Sequence, residues 1–202
     1  MKISIELVKQ LRTETGAGIL DCRKALEATE GDLAKAVTLL REQRLAATAK
    51  KTEREASEGL IEAYAHPNSP VAALVEVNCE TDFVAKTKQF HSFVHDIALQ
   101  VTAMSPLYMS TDDIPAEELE QKKENYREEA LQQGKPEKII ERIVTGRLNK
   151  FYADICLMEQ PFIKDDSILI KDLVTQKIAE LQENIIIRRF VRYELGEHAS
   201  EQ

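Results

Sequence analysis

The sequence has 202 residues, of which 43% are apolar and 31% are charged, and its formal net charge is −8. This composition is typical of a soluble globular protein with one medium domain, or a domain plus a small module. The acidic balance argues against direct nucleic-acid binding, the lack of a run of about 18 apolar residues argues against a membrane span, and the N-terminus lacks the apolar stretch of a secretory signal. The three cysteines are odd in number and far apart, which indicates free thiols in a reducing compartment, and we expect a cytoplasmic protein.

Residues 1–43 are predicted to form three short helices. The first begins after a Ser4 cap, Gly16 and Gly18 allow a tight turn after it, and Asp32 caps the third helix. Apolar residues at helical spacing predict one buried stripe on each helix: Ile5, Val8 and Leu11, then Ile19, Cys22 and Leu26, then Leu33, Ala36, Val37 and Leu40. Helices this short can bury their stripes only against one another, so the sequence predicts a small three-helix module.

A helical, solvated linker is predicted for residues 44–57, which contain neither Gly nor Pro. Two strands follow, "GLIEAYA" and "VAALVEVNC", joined by the loop "HPNSP". The alternating pattern of residues 184–196 predicts a third strand. It places Ile185, Ile187, Arg189, Val191, Tyr193 and Leu195 on one face and Ile186, Arg188, Phe190, Arg192 and Glu194 on the other. A lone hairpin is only marginally stable, so we expect a three-stranded antiparallel sheet within a core domain over residues 58–202.

Helices are predicted for the remainder of this core domain. One runs over residues 82–104, a pair at about 116–133 and 137–157 folds back as an antiparallel hairpin, and a last one covers about 169–182. Gly134 and Pro136 end the first helix of the pair and start the second. The fold class is therefore α+β, with an N-terminal three-helix module, a three-stranded antiparallel sheet packed with helices and a protruding helical hairpin.

Several candidate sites have ordinary structural explanations. His91 and His95 are four residues apart, but no third ligand and no catalytic Glu accompany them, so we expect two surface histidines rather than a metal site. Cys79 and His91 could form a thiol hydrolase pair, although strand alternation buries Cys79 beside Val77. We expect the arginines of the last strand to face solvent or to pair with acidic neighbours. An adaptor that binds partners through residues 1–43 is a further alternative.

Four blocks of this sequence resemble the elongation factor Ts family. They are "LRTETGAGILDCRKALEATEGDLAKAV", "EVNCETDFVAK", "GKPEKIIERIVTGRLNKF" with "EQPFIKDDS", and "NIIIRRFVRYELGE". The blocks keep their order and cover nearly the whole chain. The resemblance implies a guanine-nucleotide exchange factor that binds the GDP-bound and nucleotide-free translation factor EF-Tu, displaces Mg²⁺ and promotes GDP release. It implies no catalytic residue, no cofactor and no metal in the chain itself.

The resemblance also implies which residues contact EF-Tu. Thr81, Asp82, Phe83 and Val84 match the family residues that reach the nucleotide site and dislodge Mg²⁺. The N-terminal module resembles a ubiquitin-associated (UBA) domain that contacts the G domain of EF-Tu. Its partner-binding positions are Leu11, Arg12, Thr15, Gly16, Ala17 and Gly18.

The sequence also differs from longer family members. Those carry the strand-pair unit twice, whereas one unit is present here, so a homodimer is predicted that pairs strand faces or edges, with the final strand and its Phe190, Tyr193 and Leu195 as the candidate surface. The longer members present a histidine in their second half, and the nearest position here is Gln100.

Phe83 receives two opposed interpretations. It precedes Phe90 by seven residues, so helical periodicity places it on the buried stripe, whereas the resemblance requires it to face a partner. We predict that Phe83 is exposed because the helix tip extends past the sheet. Phe90, Phe93, Ile97 and Val101 are predicted to be buried.

Overall fold

The computed structural model describes residues 3–197, except for the side chains of residues 44–50. The predicted solvation of the linker side chains 44–50 lies outside this description, as do residues 1–2 and 198–202 of the two predicted modules. The chain divides into two compact units. One comprises Met1–Glu55 with Ile178–Asn184, and the other comprises Ala56–Lys177 with Ile185–Gln202.

Three helices form the N-terminal part of the first unit: α1 (Ile5–Thr15), α2 (Ile19–Ala28) and α3 (Leu33–Lys51). The Ser4 hydroxyl accepts a hydrogen bond of 3.2 Å from the Leu7 amide, and the Asp32 carboxylate accepts one of 3.0 Å from the Lys35 amide. These two caps confirm the predicted helix starts. Gly16 adopts a left-handed φ of 64° at the end of α1, a conformation that glycine tolerates best.

The buried stripes of this module agree with the sequence prediction except at two positions. The core consists of Leu11, Ala17, Cys22, Ala25, Leu26, Ala36, Val37 and Leu40. The predicted burial of Ile5 and Ile19 is wrong, because their side chains are 70% and 57% exposed. Leu7 packs against the core from α1, and Ile5, two residues earlier, points to the opposite side. Ile19 lies in the first turn of α2, which the neighbouring helices do not cover.

A three-stranded antiparallel sheet organises the second unit, as predicted. It contains β1 (Glu58–Ala65), β2 (Val71–Cys79) and β5 (Ile185–Glu194), in the order β1-β2-β5. A second, two-stranded ladder joins β3 (Pro161–Phe162) to β4 (Asp165–Leu169). The sequence gives no signal for this ladder, because its strands are too short to show alternation.

A β-bulge in β5 overturns the predicted alternation of that strand. Val77 of β2 lies opposite Ile187, but Glu76 lies opposite Arg189, so Arg188 is an extra residue. Beyond the bulge the faces exchange, and Phe190 lies opposite the buried Val75. Phe190 therefore lies on the same face as Ile185 and Ile187, and Tyr193 lies on the opposite face, so a dimer surface on one face of the sheet cannot contain both Phe190 and Tyr193.

The arginines of β5 have protein partners, in line with the prediction that they face solvent or pair with acidic residues. Arg189 pairs with Glu76 at 2.7 Å on the neighbouring strand. Arg192, turned inward by the bulge, donates a hydrogen bond of 3.2 Å to the Thr102 carbonyl and pairs with Glu194 and Glu197.

Five further helices lie between β2 and β5 along the chain: α4 (Asp82–Ala85), α5 (Lys88–Met104), α6 (Ala116–Gln132), α7 (Glu137–Ile155) and α8 (Ile170–Leu181). The prediction of one continuous helix over residues 82–104 is wrong, because the chain is extended at Thr87. The predicted hairpin is present as α6 and α7, which bury Ala130, Ile140, Val144 and Leu148 between them. No helix among residues 3–197 is both long and apolar enough to cross a membrane.

Helix α5 packs on the sheet and supplies most of its core. Phe90, Phe93, Ile97 and Val101 are all buried, as predicted, and they lie against β1 and β2. Toward the end of α5 the buried Gln100 amide donates hydrogen bonds of 3.1 Å to Gln160 and to the Pro161 carbonyl. This network fixes the β3–β4 ladder to α5.

Candidate functional site

The candidate site begins where β2 ends, at the corner of the sheet nearest the start of β1. Gly59 of β1 has a φ of 149°, and a Cβ there would lie only 2.2 Å from the Val77 carbonyl oxygen. The glycine therefore allows the two backbones to approach closely. The Asn78 side chain adds a hydrogen bond of 3.1 Å to the Glu58 carbonyl. These contacts hold the end of β2 from which the next turn departs.

Helix α4 is a single turn whose N-terminal end is fixed by hydrogen bonds. The buried Cys79 thiol donates a hydrogen bond of 3.2 Å to the Thr81 carbonyl, and the Thr81 hydroxyl accepts one of 3.4 Å from the Val84 amide. Thr81 is therefore the N-cap of α4. The helix packs against β1 and β2, so the short turn is held by tertiary contacts that a four-residue helix needs.

Asp82 forms an ion pair along this turn. Its carboxylate lies 2.5 Å from the Lys86 ammonium, at the (i, i+4) spacing that helices favour. The hydrogen bond from Lys86 lowers the pKa of Asp82, and the same bond raises the pKa of Lys86. Both side chains are largely exposed, so the pair orients the carboxylate more than it stabilises the fold. Lys86 was not predicted as a site residue, although its spacing of four residues from Asp82 was visible in the sequence.

Phe83 extends from α4 into solvent. Its side chain is 81% exposed, the highest value of any phenylalanine among residues 3–197, whereas Phe90 and Phe93 are buried. The prediction of an exposed Phe83 is confirmed. The reason differs from the predicted overhang, because the break before α5 removes Phe83 from the stripe that periodicity assigned to it. Val84, on the same turn, is partly buried.

The six positions proposed for partner binding in the N-terminal module fall into two groups. Arg12, Gly16 and Gly18 are exposed and Thr15 is partly buried, whereas Leu11 and Ala17 lie in the module's core. The Thr15 hydroxyl donates to the Leu11 carbonyl at 2.7 Å and accepts a bond from the Ala17 amide at 3.3 Å. These bonds shape the turn that leads into α2.

Exposed apolar side chains lie on α1 and at the start of α2, on either side of this turn, and their exposure was not predicted from the sequence. Ile5, Ile19 and Leu20 are all more than half exposed. Ile5 and Arg12 are seven residues apart on α1, so they share one face, and Ile19 and Leu20 follow directly after Gly18. Ile19 and Leu20 are adjacent in sequence, and exposed apolar side chains that lie together are typical of interaction surfaces.

The alternative chemical sites receive little support from the geometry. Cys79 is fully buried, as strand alternation predicted, and His91 is exposed. His95 is also exposed, and its Nδ1 lies 3.0 Å from Glu62. Within the described part of the chain, no group of three His, Cys, Asp or Glu side chains could hold a metal ion. Gln100 is fully buried, so its side chain is not available to a partner. In this respect it differs from the matching histidine of longer relatives, which is expected to face the partner.

Comparison with known proteins identifies relatives over nearly the full chain. The sequence model of the family described as Elongation factor TS matches residues 13–197. Elongation factor Ts of Coprothermobacter proteolyticus is 56% identical over 197 residues, covering 98% of this chain and 100% of that protein. The proteins of the same name from Herpetosiphon aurantiacus and Carboxydothermus hydrogenoformans are 54% and 53% identical, over 97% and 96% of this chain and 99% and 90% of their own lengths.

Proposed function

The chain belongs to the elongation factor Ts family of translation elongation factors, and on this premise we propose that it is the guanine-nucleotide exchange factor of EF-Tu in the cytoplasm. It binds GDP-bound EF-Tu, displaces Mg²⁺ and releases GDP so that GTP can bind. The observation that carries this proposal is the 81% exposed Phe83, held on a capped turn inside the segment that matches the family.

Exchange by this mechanism needs no covalent chemistry. A guanine nucleotide is held largely through its phosphates and the Mg²⁺ that neutralises them, and Mg²⁺ requires near-ideal octahedral geometry. The Phe83 ring enters an apolar groove of EF-Tu and displaces a packed element beside the ion, while Asp82 competes for polar contacts that hold the same region. Because the chain binds nucleotide-free EF-Tu more tightly, linkage requires that GDP binds the complex more weakly.

Thr81 and Val84 act by holding Phe83 and Asp82 in place. Thr81 caps the turn, and Val84 packs partly beneath it. A side chain that is already in its binding conformation loses less entropy on association than one on a mobile loop. The hydrogen bonds of Cys79 and Thr81 therefore contribute to affinity by fixing this turn before EF-Tu binds.

The N-terminal module supplies a second contact with the G domain of EF-Tu. Arg12, Ile19 and Leu20 form the contact surface, and Gly16 and Gly18 allow the backbone between α1 and α2 to approach the partner closely. Leu11 and Ala17 hold the turn from inside the module. Arginine is enriched at interface hot spots, where neighbouring contacts exclude water.

A second copy of this chain is also a partner in this proposal. The sheet face opposite α5 carries exposed apolar side chains at Ile61, Leu74 and Tyr193, and Leu195 extends beyond the end of β5. A homodimer that pairs these faces through a two-fold axis would bury the exposed side chains. Each copy would then supply the second strand-pair unit that longer relatives carry within one chain.

The direct experiment measures release of a fluorescent GDP analogue from EF-Tu. We expect the chain at micromolar concentration to accelerate release many-fold at constant Mg²⁺, and addition of a chelator without the chain serves as the control for Mg²⁺ loss. If displacement of Mg²⁺ is the step that the chain accelerates, adding the chain to chelator-treated EF-Tu should increase the rate of GDP release only slightly. A release rate unchanged by the chain would refute the proposal.

A further inference from the structure

Thr87 occupies the break between α4 and α5. It makes hydrogen bonds to both helices through one hydroxyl group. The hydroxyl donates to the Val84 carbonyl of α4 at 2.8 Å and accepts from the Phe90 amide of α5 at 3.2 Å. Its own backbone is extended, with φ −74° and ψ 145°, so it cannot belong to either helix.

The break at Thr87 changes the direction of Phe83. In an unbroken helix over residues 82–104, Phe83 and Phe90 would differ by only about 20° around the axis and would share the buried face. Here Phe90 is buried and Phe83 is 81% exposed. The single extended residue between the two helices therefore separates the exposed side chain from the core stripe.

We propose that Thr87 is a positioning residue for nucleotide exchange, which directs Phe83 outward by interrupting the helix. This inference rests on the proposed exchange function. Thr87 is partly buried, and in this proposal it acts through Phe83 rather than by contact with the partner. A hydroxyl can donate one hydrogen bond and accept others, so it links the Val84 carbonyl near the end of α4 to one free amide in the first turn of α5.

Substitutions at Thr87 separate its two hydrogen bonds. Thr87→Ser keeps both, Thr87→Asp keeps the acceptor that caps α5 but loses the donor to Val84, and Thr87→Ala loses both and favours a continuous helix. Ser110 provides a matched control. It lies beyond the other end of α5, and its hydroxyl bonds to the Asp113 carboxylate at 2.7 Å, so Ser110→Ala removes a comparable local contact.

The direction of Phe83 can be measured without EF-Tu. The chain contains no tryptophan, so Phe83→Trp introduces a single fluorophore that reports its own exposure. We expect a red-shifted emission that acrylamide quenches efficiently, and about a twofold loss of quenching when Thr87→Ala is added, because the helix turns the ring toward the core. Quenching equal to that of the parent would overturn the proposal.

Exchange is then measured with Phe83 intact. Thr87→Ala should slow maximal GDP release about fivefold, with Thr87→Ser near wild type and Thr87→Asp between them. Ser110→Ala should exchange at the wild-type rate. A wild-type rate for Thr87→Ala, an equal loss in Thr87→Ser, or an equal loss in Ser110→Ala would each overturn a positioning role.

Two safeguards keep these outcomes interpretable. If Thr87→Ala loses its cooperative thermal transition, Thr87→Val carries the same test, because it keeps the shape and the preference for extended backbone and removes only the hydroxyl. If the wild-type chain does not accelerate GDP release from EF-Tu, the proposed function fails. The quenching experiment does not use EF-Tu, so it still decides whether Thr87 sets the direction of Phe83.

Discussion

Phe83 and Phe90 are seven residues apart, and the first is 81% exposed whereas the second is fully buried. A regular helix would place both on one face, so their different burial results from the extended Thr87 between them. This relationship produces an aromatic side chain that contributes little to the core and is held in solvent by a capped turn. An exposed aromatic side chain does not contribute the stability that its burial would give, and this exposure favours a role in binding.

The first prediction concerns the ion pair of Asp82 and Lys86. The pKa of Asp82 is lowered, so the pair's contribution is present above the ordinary value of 3.8 and is lost as the pH falls through the folded-state pKa. The pKa of Lys86 is raised, so the contribution persists below 10.5 and is lost as the pH rises through that residue's folded-state pKa. The pair therefore remains intact throughout the neutral range.

Carboxyl carbon NMR titration measures this directly. In the wild-type chain Asp82 should titrate below 3.8, and Lys86→Met should return its pKa toward that value. Lys86→Arg should keep the low pKa. An Asp82 whose titration does not change in Lys86→Met would show that Lys86 does not hold the carboxylate.

The second prediction concerns the three cysteines. Cys22, Cys79 and Cys156 are all fully buried, and burial raises the pKa of Cys156 to about 11. We expect iodoacetamide at pH 8 to label none of them within minutes in the folded chain and to label all three in urea, because the thiolate is the reactive form. Rapid, selective labelling of folded Cys79 would revive the thiol hydrolase alternative.

A third prediction compares two glycines of the helical hairpin. Gly146 lies within α7 with nothing within 4 Å of an added Cβ, so Gly146→Ala should raise the free energy of unfolding by about 0.5–1 kcal/mol. Gly134 has a φ of 67°, so Gly134→Ala should lower it by about 1 kcal/mol. Thermal melting followed by circular dichroism gives both values. If both substitutions shift the midpoint in the same direction, the assigned backbone conformation is wrong for one of them.

The fourth prediction concerns self-association through the outer sheet face. Sedimentation at about 10–50 μM, where a micromolar dimer is populated, should show a dimer for the wild-type chain. Leu74→Glu should shift it to monomer, because the charge would be buried in the paired face. Ile163→Glu, an exposed apolar position outside this sheet, serves as the control and should leave the dimer intact. A wild-type chain that remains monomeric throughout this range would exclude the dimer.

Much of the fold could be predicted from local patterns. Alternation in "VAALVEVNC" predicted β2 and its buried face, and caps at Ser4 and Asp32 marked helix starts. Two features could not be predicted because they depend on residues distant in sequence or on a single torsion. The bulge at Arg188 depends on the register with β2, and the break at Thr87 interrupts a stripe whose apolar spacing continues across it.

The candidate site was predictable in its chemistry but not in its geometry. The resemblance supplied Thr81, Asp82, Phe83 and Val84, and no periodicity could have shown Phe83 to be exposed. The exposed Ile19 was missed because a stripe on one helix does not reveal which of its turns a neighbouring helix covers.

The most decisive measurement is the rate of GDP release from EF-Tu with Phe83→Ala in place of the wild-type chain. Because the ring is exposed, the variant should melt within about 2 °C of wild type. Removal of an aromatic hot spot should slow release at least about 30-fold at subsaturating concentration. Leu107→Ala, which truncates another strongly exposed apolar side chain, should leave the rate unchanged. Release by folded Phe83→Ala at the wild-type rate would contradict the role of Phe83 in exchange.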